Sequence, residues 1–165
     1  MVVIGIDPGT ARTGYGVVSQ GQDGSLQMLA YGVIETPAKS EMPQRLLQLF
    51  QELNSILLLH QPADAAVEKL FFQSNVTTAI SVGQARGVAL LCLAQAGLEV
   101  SEYTPMEIKQ AVAGYGGAKK DQVQQMVRAL LGLREIPRPD DAADALAVAI
   151  CHIHSAHMRR LIADG

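Results

Sequence analysis

Four acidic residues stand where the folded chain could gather them around a metal ion. Asp7 and Glu68 each end a short apolar run, and Asp141 and Asp144 open an alanine-rich segment with helical spacing. An ionised carboxylate at the end of a buried strand is costly in free energy unless it is paired or holds a cation, and four converging acids repel one another. Bound divalent cations would remove that cost.

The chemistry of this set is that of a hard metal ion. Ligation by oxygen alone favours Mg²⁺ or Mn²⁺ over zinc, which usually takes His or Cys ligands. Two ions about 4 Å apart could hold the attacking water and the leaving oxygen of a phosphodiester. The acids therefore predict in-line hydrolysis of nucleic acid with 5′-phosphate and 3′-hydroxyl ends. Two Mg²⁺ ions per subunit are expected, and Mn²⁺ could substitute.

One ambiguity concerns Asp140, which directly precedes Asp141. The pairs 140/144 and 141/144 both share a helix face, so periodicity cannot choose between them. Because Asp140 follows Pro139, its simpler interpretation is a helix N-cap whose side chain accepts a backbone N–H.

Composition indicates a single globular domain. The chain has 165 residues, 48% of them hydrophobic and 18% charged, and no apolar run appears long enough to cross a bilayer. We expect one domain over residues 1–158, a frayed tail over 159–165, no membrane association and a cytoplasmic location. Cys92 and Cys151 lie in apolar segments and are expected to be reduced core thiols.

Charge does not exclude nucleic acid as a partner. The formal net charge is −3, but it counts the four candidate ligands as bare anions. Neutralising those four moves the sum from −3 to +1, and a local basic patch depends on where charge lies more than on the total.

The elements that must position the acids follow from periodicity. Strands are predicted over 2–7, 13–20, 26–35, 64–68 and 99–103, and helices over 43–60, about 77–96, 119–131 and 140–160. Thr104, Pro105 and Glu107 form a capping-box pattern that predicts a further helix start. An opening meander followed by alternating strands and helices predicts an α/β fold with a five-stranded mixed sheet and helices on both faces. Asp7 and Glu68 then lie at the carboxyl ends of strands, where sites gather in open sheets of this kind.

Several motifs occur in a fixed order over nearly the whole chain. They are Gly5-Ile6-Asp7-Pro8-Gly9-Thr10, Thr13-Gly14-Tyr15-Gly16, Glu68 with Phe71, Gly83-Gln84-Ala85-Arg86-Gly87, Lys109-Gln110 and Asp141-Ala142-Ala143-Asp144-Ala145-Leu146. Each is weak alone, but together they resemble the RuvC family of Holliday-junction resolvases, in the ribonuclease-H-like superfamily.

The resemblance implies a ribonuclease-H-like fold in which the first and fourth strands lie side by side. It implies a homodimer that makes paired, symmetric cuts in a four-way DNA junction during recombination and repair, and that works with the RuvA and RuvB branch-migration proteins. The helix 77–96 carries the small residues Gly83, Ala85, Gly87 and Ala89, which permit close approach of another element. Core packing is their ordinary interpretation, whereas the resemblance implies the dimer interface.

Residue roles also follow from the resemblance. Asp7, Glu68, Asp141 and Asp144 match the family's metal-binding catalytic acids. Lys109 and Lys120 match basic residues near the scissile phosphate, and Lys119 lies beside them. Phe71 matches a loop aromatic thought to stack on junction bases, a role that Phe72 could share.

Three other interpretations stay open on the residues alone. An actin-like or sugar-kinase-like ATPase shares the Asp-x-Gly-Thr opening, although 165 residues provide only one of its two lobes. A non-catalytic DNA-binding protein would not need four acids, which repel phosphates without metal. A general ribonuclease H shares the acidic site, so the site alone does not exclude it.

Overall fold

The structure, a computed structural model, describes residues 1–69 and 76–163. The described chain forms five strands and five helices. In chain order they are β1 (Val2–Asp7), β2 (Arg12–Gln20), β3 (Leu26–Glu35), α1 (Met42–His60), β4 (Asp64–Glu68), α2 (Val76–Gln95), β5 (Val100–Tyr103), α3 (Pro105–Ala113), α4 (Lys120–Leu130) and α5 (Asp140–Ala163).

The strands form one mixed sheet in the order β3-β2-β1-β4-β5. The first three strands are antiparallel, and β4 and β5 join them in parallel pairs. The predicted five-stranded mixed sheet is therefore confirmed. So is the pairing of the first strand with the fourth.

Helices cover both faces of the sheet, as the sequence predicted. One buried cluster joins the sheet to α3, α4 and α5, and the other joins it to α1 and α2. Side chains alternate along a strand, so neighbouring residues of β4 serve opposite faces: Ala66 belongs to the α5 side and Val67 to the α1 and α2 side. The alternation places the Glu68 side chain on the α5 side.

Glycines in β1 and β2 let α5 lie directly on the sheet. A Cβ added at Gly5 or Gly14 would collide with the carbonyl oxygen of Ala145 or Asp141, respectively. A Cβ at Gly16 would lie 2.7 Å from the backbone nitrogen of Leu146. The facing helix residues Ala142, Ala143 and Ala145 are fully or almost fully buried. Small residues on both surfaces thus bring the first turns of α5 close to the strand ends.

Helix α2 differs from the other helices in its surface. It is 20 residues long with a mean hydropathy of 1.4, enough by length and composition alone to cross a membrane, which corrects the expectation that no apolar run has that length. The helix nevertheless packs on the sheet face through Ala85, Ala89, Cys92 and Leu93. Only 22% of its apolar window is buried within the chain.

The helix α3 begins with the predicted capping box. The backbone nitrogen of Glu107 donates to Thr104 Oγ1 at 3.1 Å, and the backbone nitrogen of Thr104 donates to Glu107 Oε2 at 2.7 Å. This arrangement satisfies two N–H groups that the helix leaves without an internal partner. It fixes the start of the helix that carries Lys109.

Candidate active site

Strand register brings Asp7 and Glu68 together. Ile6 of β1 is paired with Val67 of β4, so the next residues, Asp7 and Glu68, end adjacent parallel strands. On the other side, Asp7 is paired with Gly14 of β2. The carboxyl ends of parallel strands meet at one edge of a sheet, where sites in open α/β folds gather.

The start of α5 completes the group of acids. Gly14, the strand partner of Asp7, lies directly beneath the backbone of Asp141. Asp144 lies one helical turn further along the same face. The carboxylates of Glu68, Asp144 and Asp141 all act electrostatically on Asp7. The four acids predicted from the sequence therefore lie together; below they are called the acid cluster.

The loop that follows Asp7 is held in place by side chains from three elements. Thr13 Oγ1 donates to the carbonyl of Gly9 at 2.9 Å. The carbonyl of Thr10 accepts from Thr36 Oγ1 at 2.6 Å and from Arg45 Nη2 at 3.1 Å. These contacts tie the loop to β2, to the residue that follows β3 and to α1, so the end of β1 has a fixed direction.

Burial and repulsion suppress ionisation in the acid cluster. Burial, followed by the neighbouring charges of Glu68, Asp144 and Asp141, raises the pKa of Asp7 to about 8. Burial also raises the pKa of Glu68, although a hydrogen bond with Asp7 opposes the rise. Asp7 is thus the protonated partner of this pair at neutral pH. Burial raises the pKa of Asp144 as well, and Lys120 opposes it.

Two of the predicted lysines border the acid cluster. A cleft of about 290 Å³ is lined by Glu68, Ile108, Lys109, Lys120 and Asp144, among others. Lys120 Nζ lies 3.2 Å from Asp144 Oδ2 and 3.5 Å from Asp140 Oδ2. These carboxylates outweigh the effect of burial and raise the pKa of Lys120. The cleft is therefore lined by both lysine charges and carboxylates.

The remaining predicted DNA contacts are placed differently. Lys119 is the N-cap residue of α4, and its backbone nitrogen donates to Gln122 Oε1 at 2.8 Å. Phe71 and Phe72 lie outside the described residues.

Asp140 does not act as the predicted N-cap. The carbonyl of Pro139 accepts the first helical hydrogen bonds, from Ala142 and Ala143, which makes Asp140 the first residue inside the helix. Its side chain accepts from Arg138 Nη1 at 2.9 Å and from Gln124 Nε2 at 3.1 Å instead. The physical reason is that Arg138 and Lys120 offer charged partners, which form stronger hydrogen bonds than a backbone N–H.

The acid cluster fits a divalent cation in its chemistry. Its donors are carboxylate oxygens alone, and burial together with the neighbouring carboxylates raises the pKa of Asp7. Among residues 1–69 and 76–163, no three His, Cys, Asp or Glu side chains already stand together as a metal-binding group. Binding would require Asp7 to release its proton and the side chains to turn toward a shared ion.

Sequence reasoning missed two polar groups near the strand ends. Arg86 of α2 donates to the backbone carbonyl of Glu68 at 2.8 Å. His152 is buried, with Nδ1 3.1 Å from Tyr103 Oη and Nε2 3.7 Å from Asp64 Oδ2. The polar residue inside the apolar run of 150–153 was the available signal for His152.

The fold and the acid cluster are those of a ribonuclease-H-like nuclease domain, and comparison with known proteins agrees. The profile of the family described as "Crossover junction endodeoxyribonuclease RuvC" matches residues 3–152. A protein of that name from Desulfitobacterium hafniense is 59% identical over 158 residues, which cover 96% of this chain and 95% of that protein.

Two solved structures from Thermus thermophilus are also similar. The RuvC structure is 40% identical with a TM-score of 0.90, and RuvC in complex with a Holliday junction substrate is 37% identical with a TM-score of 0.88. Each match covers 96% of both chains. The chain therefore belongs to the RuvC family of crossover junction endodeoxyribonucleases. Membership favours this family over the ATPase, scaffold and general ribonuclease H interpretations.

Proposed function

We propose that the protein is a structure-selective endodeoxyribonuclease that resolves Holliday junctions by paired, symmetric phosphodiester hydrolysis during recombination and repair. The observation that carries this proposal is the acid cluster at the ends of β1 and β4, completed by α5, in a chain of the RuvC family. The solved relative whose title includes a Holliday junction substrate supports the choice of DNA structure.

The acid cluster would hold Mg²⁺, for which Mn²⁺ could substitute, through Asp7, Glu68, Asp141 and Asp144. The bound ions would supply Lewis-acid activation of water and charge neutralisation at the phosphate. Asp7 must lose its proton for this binding, so the site couples metal affinity to pH. Burial of the acids strengthens their attraction for a cation relative to exposed carboxylates, because water screens them less.

Lys109 and Lys120, which line the same cleft as Glu68 and Asp144, would bind the DNA backbone. Both contribute favourable charge to Glu68, and Lys120 also contacts Asp144 directly. When a phosphate enters, the lysine charges would meet its oxygens and reduce the repulsion between the phosphate and the carboxylates. Lys119 and the aromatic pair Phe71 and Phe72 stay further proposed DNA contacts, the aromatics by stacking on unpaired bases.

The test compares three substrates under three metal conditions. A synthetic four-way junction, a linear duplex and an RNA–DNA hybrid are each incubated with Mg²⁺, with Mn²⁺ or with a chelator. Metal-dependent, ligatable cuts in two symmetric strands of the junction alone support the proposal. Cutting of the hybrid alone would indicate a ribonuclease H, and metal-dependent cutting of all three substrates would remove the structure selectivity.

A homodimer is the proposed working unit, and the exposed side of α2 supports it. Ile80, Gly83, Gly87, Leu91 and Ala94 recur at helical spacing on the side of α2 that faces away from the sheet. Ile80 is 62% exposed and Leu91 is 59% exposed. Such a continuous apolar stripe is typical of a surface that another protein covers.

The glycines of this stripe are not needed by the chain's own packing. A Cβ added at Gly83 or Gly87 would meet nothing within 4 Å. A glycine inside a helix costs about 1 kcal/mol relative to alanine, so two glycines at exposed positions need another reason. Close approach of a second α2 about a two-fold axis supplies one, and it would direct two identical sites at two strands.

Other parts of the proposal rest on family membership alone. We expect the protein to receive junctions from the RuvA and RuvB branch-migration proteins and to work in the cytoplasm as a single nuclease domain over residues 1–158. Pull-down of RuvA with a junction present, compared with duplex DNA, tests the first of these.

A further inference from the structure

Arg86 occupies an unusual place relative to the acid cluster. The Glu68 side chain lies on the α5 side of the sheet, while Arg86 comes from α2 on the opposite side. Its side chain is only 15% exposed and reaches the end of β4 from that side. There Nη1 donates to the Glu68 carbonyl at 2.8 Å. The residue therefore contacts the backbone of a proposed metal ligand from the opposite side of the sheet.

A second contact fixes the direction of this side chain. Arg86 Nη2 lies 2.8 Å from Glu102 Oε2 on β5, whose neighbour Tyr103 is paired with Glu68 in the sheet. One guanidinium thus spans the ends of two adjacent strands. A planar group held at both ends has little freedom, and charge-assisted hydrogen bonds are stronger than neutral ones.

The Glu68 carbonyl is where such a restraint matters. Glu68 is the last residue of β4, and beyond it the structure describes one more sheet contact, from the Lys69 nitrogen to the Tyr103 carbonyl at 2.7 Å. The Glu68 carbonyl and the Lys69 nitrogen belong to the same peptide group, so Arg86 and the Tyr103 carbonyl hold that group from two sides. The direction of this group helps to set the backbone of Glu68, from which the carboxylate extends.

We infer that Arg86 is a positioning residue, which holds the backbone of Glu68 so that its carboxylate faces the acid cluster. This inference rests on the proposed function of that cluster. The position of Arg86 also links two surfaces, since Gly83 and Gly87 on the same helix belong to the exposed stripe of α2. The helix that would meet the partner subunit therefore sets where a metal ligand lies.

Mn²⁺ binding to the full chain tests the inference without relying on activity. Free Mn²⁺ is counted by electron paramagnetic resonance during titration of the wild type, Arg86→Ala and Arg86→Lys. Loss of a group that orients a metal ligand typically weakens metal affinity 10- to 100-fold, and Arg86→Ala should show a loss in that range. Arg86→Lys should recover part of the lost Mn²⁺ affinity. Lysine can donate to the Glu68 carbonyl but lacks the second guanidinium nitrogen that pairs with the Glu102 carboxylate.

Controls separate positioning from a general loss of stability. Arg128→Ala removes an exposed arginine of α4 and should bind Mn²⁺ as the wild type does. Glu102→Gln keeps the hydrogen bond from Arg86 to the Glu68 carbonyl and should weaken Mn²⁺ binding less than Arg86→Ala does. If Arg86→Ala does not fold, Arg86→Lys alone decides, since it must bind Mn²⁺ less tightly than the wild type.

Wild-type affinity in folded Arg86 variants would overturn the inference. The proposed function and the role of Arg86 can fail separately. If the wild type neither binds Mn²⁺ nor cuts the junction, the proposed function fails and this inference with it. If the wild type does both and the Arg86 variants equal it, only the role of Arg86 is wrong.

Discussion

At the scale of single residues, the ionised Asp7 carboxylate that metal binding requires is the form that destabilises the metal-free fold. The folded protein holds its carboxyl among three others and raises its pKa to about 8, from an ordinary value of 3.8. The folded state therefore binds a proton that the unfolded chain releases between these two pH values. Without metal, the contribution of Asp7 to stability must fall as pH rises from about 4 to about 8.

Replacing Asp7 by asparagine should remove the loss of stability that accompanies ionisation of its carboxyl. Each pKa unit corresponds to about 1.4 kcal/mol, so Asp7→Asn in chelator at pH 8 should be more stable to unfolding than the wild type by at least about that amount. Urea unfolding at pH 4, 6 and 8 measures the difference, which should grow with pH. Mg²⁺ should stabilise the wild type more than Asp7→Asn, which should no longer cut junctions. If Asp7→Asn is less stable than the wild type at every pH, the ionised Asp7 carboxylate does not destabilise the metal-free protein.

Lys120 contacts the acid cluster directly, and we propose that it also contacts DNA. Its removal should lower junction cleavage roughly 100-fold, the scale of losing one donor to a developing charge. If it also contacts a phosphate, the slope of log binding constant against log salt should fall by about 1. Lys39→Ala, which removes an exposed lysine in the loop before α1, is the matched control. Equal cleavage by Lys120→Ala and Lys39→Ala would remove the proposed role.

Residue type and position, at the ends of apolar runs or at a helix start, predicted the four acids, whereas Lys109 and Lys120 were expected only from the family resemblance. An acidic residue at the end of an apolar run stands out in the sequence, because burying a carboxylate without a partner is costly in free energy. The contact between Lys120 and Asp144 spans 24 residues. It depends on how α4 packs against α5, which local periodicity does not encode. The same holds for Arg86, whose partners are the backbone carbonyl of Glu68 and the side chain of Glu102.

At the scale of elements, the strands and helices were predicted to within two residues at most ends, because each has a regular apolar pattern. What the pattern could not supply is the distance between α5 and the sheet. That distance depends on Gly5, Gly14 and Gly16, which in the sequence are only motif residues. In the structure they leave room for the helix backbone itself.

Gly14→Ala tests whether close packing of α5 aligns the acid cluster. The added methyl group would collide with the Asp141 carbonyl. The helix start must then shift away from Asp7 or the strand must deform, at a cost of about 1–3 kcal/mol. Thermal unfolding should show the loss, and Mn²⁺ affinity should fall at temperatures where the variant is folded.

Gly117→Ala is the control for this substitution. A Cβ there would lie 3.8 Å from Tyr115 Cδ2, an ordinary contact. This variant should keep both its stability and its Mn²⁺ affinity. If Gly14→Ala loses stability but binds Mn²⁺ like the wild type, α5 does not align the acids through this contact.

At the scale of the whole molecule, the two faces of the sheet have different tasks. The α5 side carries the acid cluster and its lysines, while the α2 side carries the exposed apolar stripe. A dimer through the stripe would leave both acid clusters open, because α2 and α5 cover opposite faces of the sheet. Cleavage and association can therefore be altered separately by substitution.

Leu91→Arg should weaken association of the two subunits without altering the acid cluster. A charged side chain buried at an apolar interface without a partner is strongly unfavourable, so the dimer dissociation constant should rise at least about 10-fold in analytical ultracentrifugation. Leu29→Arg is the control, since Leu29 is 42% exposed on the edge strand β3, where charge is tolerated. A Leu91→Arg variant that stays as dimeric as the control would exclude the stripe as the interface.

The effect on cutting distinguishes a dimer needed for chemistry from one needed for pairing. Each acid cluster is built from one chain, so monomeric Leu91→Arg should still bind Mn²⁺ and nick DNA at high protein concentration. Paired cuts require two sites on one junction at the same time, and separate monomers meet that condition rarely. A junction labelled on both symmetric strands should therefore show single nicks that accumulate before the second cut. Simultaneous cutting of both strands by a proven monomer would show that symmetry of the protein is not what pairs the cuts.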